Sequence, residues 1–198
     1  MTQLIIDPKT TALLVMDFQT GIVEMVPSDK DALLSRTSHL IESARKAGMP
    51  VVYVIVAFRS GYPEVSPRNQ SFAPIRETGR FVEGSAGTEV HPAVAPKAGE
   101  VVVTKHRVSA FAGTDLDMIL RAHGAETLVL TGIATSGVIL STLRYAADAD
   151  YRLVVVKDCC ADGDAEVHRV LTEKVFPRQA TVLPAEQMEI AATRFGAP

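Results

Sequence analysis

Six short runs of apolar, mostly β-branched residues recur along the chain and predict six β-strands. Within each run the apolar residues follow one another instead of alternating with polar ones, which is typical of strands buried on both faces of a parallel sheet. The predicted strands span residues 11–16, 51–56, 101–104, 127–130, 152–156 and 181–183.

Apolar residues at helical spacing lie between most of these strands and predict four helices. The first helix is expected to begin at Ser28, a residue type that caps helices, and to end at Gly48. Strands that alternate with helices in this way indicate an α/β fold, with a mostly parallel sheet covered by helices on both faces. The other three helices are expected to begin at Thr114, at Ser136 and at Asp162 or Asp164.

The alternation is interrupted between residues 59 and 99, where five glycines and five prolines replace the expected crossover helix. Long connections of this kind are uncommon in compact domains and often form lids or binding loops. A surface excursion that contacts another subunit explains the segment equally well. Its mixture of aromatic and arginine side chains is expected of a cover over a small polar ligand. These side chains are Tyr62, Phe72, Phe81, Arg68, Arg76 and Arg80.

The composition narrows the class of protein. With 198 residues, 47% hydrophobic and 22% charged, the chain has the profile of a single globular domain, residues 1–198. A net charge of -3 argues against a nucleic-acid partner, and no apolar run is long enough to predict a membrane span. Cys159 and Cys160 are adjacent, so they predict neither a disulfide framework nor a cysteine-based metal site, and we expect a reducing, cytoplasmic location.

Polar residues that directly follow predicted strands are the candidates for chemistry, because ligands of open parallel sheets bind at the carboxyl ends of the strands. Asp17 and Lys105 each follow such a strand, and the small-residue turn at 131–137 follows another. Burial would raise the pKa of Asp17 while a nearby Lys105 would lower it, so the two form a candidate proton-transfer couple. The alternative is that Asp17 caps a loop and Lys105 is solvated. The turn, with Ser136 as the helix cap, is a candidate anion site.

These stretches resemble the isochorismatase-like hydrolases, which are also called cysteine hydrolases. The matching segments are ALLVMDFQTG, VTKHRVSAFAGTDL, LTGIATSGVILST and VVKD, and they follow one another in the order and spacing of the family. The resemblance implies a three-layer α/β/α sandwich with a sheet of about six strands, assembly into a homodimer or homotetramer, and no cofactor. It also implies a cis peptide near Ile133 and Ala134.

The resemblance assigns catalytic positions as well. The family uses an Asp, a Lys and a nucleophilic Cys, which correspond to Asp17, Lys105 and Val138. Because valine cannot form a thioester, Val138 argues against the covalent amide-hydrolysing route of the family. The substrate-binding positions implied in the same way are Gln19, Phe58, Ala134, Ser136 and Gly137.

Isochorismatases within this family resemble the chain in lacking the cysteine, and they use the aspartate to protonate the methylene carbon of an enol ether. We therefore expect non-covalent, acid-catalysed hydrolysis of a small molecule, with an enol ether as one candidate. The alternatives are a catalytically inactive binding or scaffold protein, and an amide hydrolase with another nucleophile, such as Ser136, Cys159 or Cys160. A family metal site needs an Asp-x-His pair where this chain has Ala57, Phe58 and Arg59, so no metal is expected.

Overall fold

A computed structural model describes residues 4–27 and 29–191 of the chain. Six of the strands in this part form one sheet in the order β4-β3-β2-β5-β6-β7, and all neighbouring strands in it are parallel. The six predicted strands are thereby confirmed, although β4, β5 and β6 extend beyond their predicted ends. The strands are β1 Leu4–Ile6, β2 Thr11–Met16, β3 Val51–Val56, β4 Val101–Lys105, β5 Thr127–Ile133, β6 Arg152–Ala161, β7 Thr181–Leu183 and β8 Met188–Ile190.

The helices lie between the strands where the pattern predicted them, but their ends differ. The predicted start at Ser28 lies outside the described residues, and the helix runs over Lys30–Lys46. The helix predicted to start at Ser136 begins as a π-helical segment, Thr135–Ile139, and the predicted cap at Ser136 is wrong because Ala134 precedes the first turn. Asp164 does cap its helix, since its carboxylate accepts hydrogen bonds from two backbone N–H groups. The α-helices are α1 Thr20–Val23, α2 Lys30–Lys46, α3 Ala73–Thr78, α4 Leu116–Ala122, α5 Leu140–Asp148 and α6 Ala165–Val170.

The two faces of the sheet bury separate hydrophobic clusters. Along β2, Leu13 and Val15 belong to the cluster that contains the apolar face of α2. Ala12, Leu14 and Met16 belong to the cluster that contains the apolar residues of α4 and α5. Successive side chains of a strand point to opposite faces, so this division places one helical layer on each side of the sheet. The predicted three-layer architecture is confirmed.

The chain changes direction across the sheet between β2 and β5. From β2 it proceeds through β3 to β4 at one edge, and then returns to build β5, β6 and β7 on the other side of β2. Loops that follow adjacent strands on either side of such a switch point diverge and leave a crevice at the carboxyl end of the sheet. The connections after β2 and β5 therefore flank the place where this fold accommodates a ligand.

Gly132 is required by the close approach of β2 and β5 at this crevice. A Cβ atom at position 132 would lie 2.6 Å from the backbone carbonyl oxygen of Met16, closer than real Cβ atoms approach. The absence of a side chain allows the carboxyl end of β5 to lie directly against the end of β2.

Two further features were not predicted. A small second sheet pairs β1 with β8 in parallel, and each of these strands has only three residues, too few to show a pattern. The segment after β3, predicted to lack regular structure, contains helix α3.

Within residues 4–27 and 29–191, no helix has the length and apolar character needed to cross a membrane.

Candidate active site

Asp17 follows β2 directly and is held in an unusual backbone conformation. Its φ angle is 57°, in the left-handed region that residues other than glycine seldom adopt, and its N–H donates to the carbonyl of Val54 at 2.8 Å. One carboxylate oxygen, Oδ2, lies 2.9 Å from Nζ of Lys105. The other, Oδ1, is buried and has no hydrogen-bond partner among residues 4–27 and 29–191. A buried oxygen without a partner is uncommon in folded proteins and marks a position where a ligand can bind.

Lys105 is the last residue of β4, and its side chain is even more deeply buried than that of Asp17. Besides Asp17, Nζ donates to the carbonyl oxygen of Arg107 at 3.1 Å. Burial raises the pKa of Asp17, and the charge and hydrogen bond of Lys105 oppose this effect without cancelling it. Asp17 is consequently a carboxyl group that takes up a proton more readily than a solvated aspartate, which is a property of general acids.

A cavity of about 480 Å³ opens above this pair. It brings together Asp17 and Lys105 with Ala134, Gly137 and Val138, five of the residues singled out in the sequence. Apart from Asp17, Lys105 and Ser71, the lining residues have apolar side chains or are glycines. The remaining members are Ile22, Met25, Val26, Val56, Ser71, Phe72, Ile75, Phe81, Val108, Ile133 and Gly163.

The turn after β5 forms one wall of the cavity. The peptide bond between Ile133 and Ala134 is cis, as the family resemblance implied. Gly137 and Val138 face the cavity, whereas Ser136 is exposed and is not part of the lining. The N–H of Ser136 donates to Oδ2 of Asp162 at 2.7 Å, and the N–H of Gly137 donates to the carbonyl of Ala134. These two N–H groups are therefore occupied by the protein, so the structure does not offer them to a ligand.

The side chain of Thr135 links the same turn to the end of β6 by a hydrogen bond. Its hydroxyl donates to the carbonyl of Ala161 at 3.1 Å and is hydrogen-bonded with Nδ1 of His168 at 2.8 Å. Burial lowers the pKa of His168, which favours a neutral imidazole in this contact. Nothing in the sequence singled out His168, because only the fold brings α6 next to residue 135.

Gln19 and Phe58, which the resemblance implied as substrate-binding residues, are not part of the cavity lining. The amide of Gln19 donates to the carbonyls of Val56 and Thr88 and accepts from the N–H of Val56, each at 2.8 Å. Phe58 is fully buried and packs against the rings of Tyr62, Phe72 and His106. Both side chains thus stabilise the loops that form the walls of the cavity.

The segment between residues 59 and 99 does cover the cavity, but with apolar groups. Phe72, Ile75 and Phe81 line the cavity together with the exposed Ser71, whereas none of the four arginines of the segment does. Arg80 contacts the outer side of this wall: its guanidinium lies 4.9 Å from the ring centre of Phe81 and donates to the carbonyl of Gly21. The expectation of a cover suited to a small polar ligand is corrected in this respect, because the side chains that reach the interior are hydrocarbon.

The two cysteines lie away from the cavity, on opposite faces of β6. Cys159 belongs to the cluster with α2 and Cys160 to the cluster with α4 and α5, because successive side chains of a strand point to opposite faces. Burial raises the pKa of the Cys159 thiol to about 12 and raises that of Cys160 as well. Such thiols are poor nucleophiles near neutral pH.

We found no group of three or more His, Cys, Asp or Glu side chains arranged to hold a metal ion within the described ranges 4–27 and 29–191. The carboxylate of Asp17 has the lysine ammonium as its neighbour, which is an unsuitable partner for a cation. The chemistry available in the cavity is therefore that of a carboxyl group and an ammonium group within an apolar enclosure.

Comparisons with known proteins agree with the fold. Residues 11–187 match the model of the isochorismatase domain. The chain is 32% identical over 161 residues to maleamate amidohydrolase of Pseudomonas putida, covering 79% of this chain and 75% of that one. It is 30% identical over 190 residues to a probable isochorismatase of Pseudomonas chlororaphis, covering 95% and 89%.

A solved structure shows the same architecture. An isochorismatase family protein from Burkholderia thailandensis superimposes with a TM-score of 0.78 at 29% sequence identity, covering 94% of this chain and 97% of that one. The domain match, the relatives and this superposition lead to one conclusion: the chain belongs to the isochorismatase family of hydrolases.

Proposed function

We propose that the protein hydrolyses a small enol ether by acid catalysis, with Asp17 as the proton donor and without a covalent intermediate. The observation that carries the proposal is the state of the Asp17 carboxyl group. It is buried at the floor of an apolar cavity, has a raised pKa, and leaves Oδ1 without a partner. A buried carboxyl group with a raised pKa and a free oxygen facing the cavity is suited to protonating a carbon atom of a bound substrate.

The steps balance without a cofactor. Asp17 transfers its proton to the terminal carbon of the C=C bond, whose electron pair forms the new C–H bond and leaves an oxocarbenium ion. The resulting carboxylate is stabilised by Lys105 at 2.9 Å. Water then adds to the cationic carbon and returns a proton to Asp17. The hemiketal collapses to a carbonyl product and an alcohol, so one water is consumed and the acid is regenerated.

The residues around the cavity support a route without a nucleophile. Val138 lies in the wall beside Asp17 and Lys105, at the position where the family resemblance implies the cysteine. Ser71 is the one hydroxyl or thiol side chain among the described lining residues, and it is exposed on the covering segment. An activated serine needs a base within hydrogen-bonding distance, and no hydrogen bond joins the Ser71 hydroxyl to an imidazole or carboxylate in this part of the chain.

The names of the relatives suggest two different reactions, and the residue at position 138 favours one of them. The name of the P. putida relative suggests amide hydrolysis, whereas the name of the P. chlororaphis relative suggests hydrolysis of an enol ether. Since hydrolysis of an amide through a thioester needs a cysteine, the side chain at position 138 favours the second reaction.

The test uses 2-benzyloxyacrylate and its methyl ester as enol ethers, with release of benzyl alcohol as the readout. Asp17→Asn keeps the size of the side chain but removes its acidic proton. We expect it to lower kcat/KM by about 100-fold or more, the range of general acid catalysis. Asp117→Asn, an identical change on the surface helix α4, is the control and should keep the activity. In D2O the methyl group of the product should carry one deuterium from solvent. Equal activity of Asp17→Asn and the native protein would refute the role of Asp17.

A second variant tests whether the site is a disabled amidase. Val138→Cys places a thiol beside Asp17 and Lys105, which completes the Asp, Lys and Cys set that the resemblance implies. Hydrolysis of small amides by this variant, together with inactivity of the native protein on both enol ethers, would replace our proposal with that of a catalytically inactive homologue. Enol ether hydrolysis by the native protein would support it.

A further inference from the structure

We propose that the cavity selects a substrate without a carboxylate, that is, a neutral enol ether with an apolar substituent. The inference rests on the proposed reaction and names its substrate class. It follows from the charges in the lining. Asp17 and Lys105 are its two ionisable side chains, and they face each other at 2.9 Å. No other Lys, Arg or His belongs to the described lining, so a substrate carboxylate would find only Lys105, whose ammonium group is already engaged by Asp17 and by the carbonyl of Arg107.

Three arginines adjoin lining residues in sequence, Arg76, Arg80 and Arg107, and none of them is part of the lining. Arg80 contacts Met25 and Phe81 from outside the cavity, and its guanidinium donates to the carbonyl of Gly21 and the sulfur of Met25. Arg107 follows Lys105 closely, but its guanidinium donates to the carbonyls of Glu64 and His106. Both groups are directed at the protein instead of the cavity.

The N–H groups of Ser136 and Gly137 in the turn do not compensate either. An anion is often bound by N–H groups at the start of a helix. Here the N–H of Ser136 donates to the carboxylate of Asp162, and the N–H of Gly137 donates to the carbonyl of Ala134. The acidic side chain of Asp162 thus already occupies the place on this turn that a substrate anion would take.

The chemistry of the acid sets the same requirement. A substrate carboxylate beside Asp17 would compete with Asp17 for the ammonium group of Lys105. Its negative charge would also raise the pKa of Asp17, so Asp17 would hold its proton more tightly and transfer it to carbon more slowly. A neutral substrate leaves Lys105 available to stabilise the carboxylate that forms during the reaction. Phe72, Ile75 and Phe81 offer its substituent a hydrocarbon surface.

Binding of unreactive analogues tests the inference apart from turnover. Titration calorimetry at pH 7.5 compares methyl 2-benzyloxypropanoate, which is neutral, with 2-benzyloxypropanoate, which carries a carboxylate. Both are saturated, so neither can be protonated at carbon. We expect the neutral ester to bind at least about 10-fold more tightly, because the carboxylate would lose its hydration without gaining a free cation. Equal binding, tighter binding of the carboxylate, or no binding of the ester would overturn the inference.

A designed cation provides the second arm. Ile75→Arg places a guanidinium on the half-buried outer wall of the cavity, and we expect it to improve binding of the carboxylate at least about 10-fold relative to Ile75→Gln, a long polar control without charge. If Ile75→Arg and Ile75→Gln bind the carboxylate equally, charge is not what the wall selects. If the ester binds selectively but the native protein turns over neither enol ether, the selectivity stands and the proposed reaction fails.

Discussion

Replacing Lys105 by methionine should make the stability of the protein strongly dependent on pH. In the native structure Lys105 and Asp17 form a pair in which the side chains are only 3% and 7% exposed. Lys105→Met keeps most of the volume of the side chain but leaves the carboxyl group of Asp17 buried without a charged partner. Breaking a buried pair in this way costs about 3 to 5 kcal/mol, whereas an exposed pair contributes about 0 to 1 kcal/mol.

The pH dependence has a definite sign. Burial already raises the pKa of Asp17 in the native protein, and the two effects that lower it both come from Lys105. In Lys105→Met the pKa of the folded state therefore rises further above the unfolded value of about 3.9. The folded state then binds more protons than the unfolded state, so stability falls as pH rises from about 4 through the folded-state pKa. Above that pKa, Lys105→Met should show its full loss of unfolding free energy relative to the native protein. Near pH 4 most of this difference should disappear.

The assay is urea denaturation at several values of pH between 4 and 9. The free energies of unfolding of the native protein and the variants are compared where their m values, the dependence of that free energy on urea concentration, agree. Lys97→Met is a matched control, because Lys97 pairs with Glu42 at 3.0 Å on the surface. Its denaturation midpoint should change little at any pH. The double variant Lys105→Met/Asp17→Asn removes both charges and should lose less stability at pH 8 than Lys105→Met alone. A loss in Lys105→Met that matches the surface control, or that is constant with pH, would refute the reasoning.

Two further predictions concern the close contact at Gly132 and the burial of the two cysteines. Gly132→Ala should destabilise the protein by about 2 to 4 kcal/mol in the same denaturation assay, because its Cβ would lie 2.6 Å from the carbonyl oxygen of Met16. Gly163→Ala, where nothing lies within 4 Å of the added Cβ, should cost little, and equal losses would contradict this explanation. Iodoacetamide at pH 8 should modify Cys159 and Cys160 only after unfolding, since both thiols are buried and have raised pKa values; modification of the native protein, measured by mass spectrometry, would disprove it.

The sequence was sufficient for the parts of the molecule that depend on local pattern. Continuous apolar runs located every strand of the main sheet, and residues at strand ends identified Asp17 and Lys105, because in parallel sheets the end of a strand is also the edge of the site. The opposite orientations of Cys159 and Cys160 followed from the two-residue period of a strand. These features need no knowledge of distant contacts.

The features that were missed depend on contacts between distant segments. Ser136 had the residue type of a helix cap, yet its N–H is bound by the carboxylate of Asp162, which only the fold brings close. Gln19, which the family resemblance implied as a substrate-binding residue, lies outside the cavity lining, and its amide is hydrogen-bonded to the backbone of Val56 and Thr88. The apolar wall of the covering segment could not be recognised from the sequence, because Arg76 and Arg80 adjoin Ile75 and Phe81 but are not part of the cavity lining.

The switch between β2 and β5 has a consequence for how the family can change its chemistry. Asp17 and Val138 belong to loops that follow two different strands, joined to each other through the sheet and not through a shared turn. A substitution at position 138 alters one strand-to-helix unit while the acid and its lysine remain anchored to β2 and β4. In the proposed assignment, the proton donor and the position of the family cysteine therefore lie on separate strand-to-loop units, so that a substitution at position 138 can change one without displacing the other.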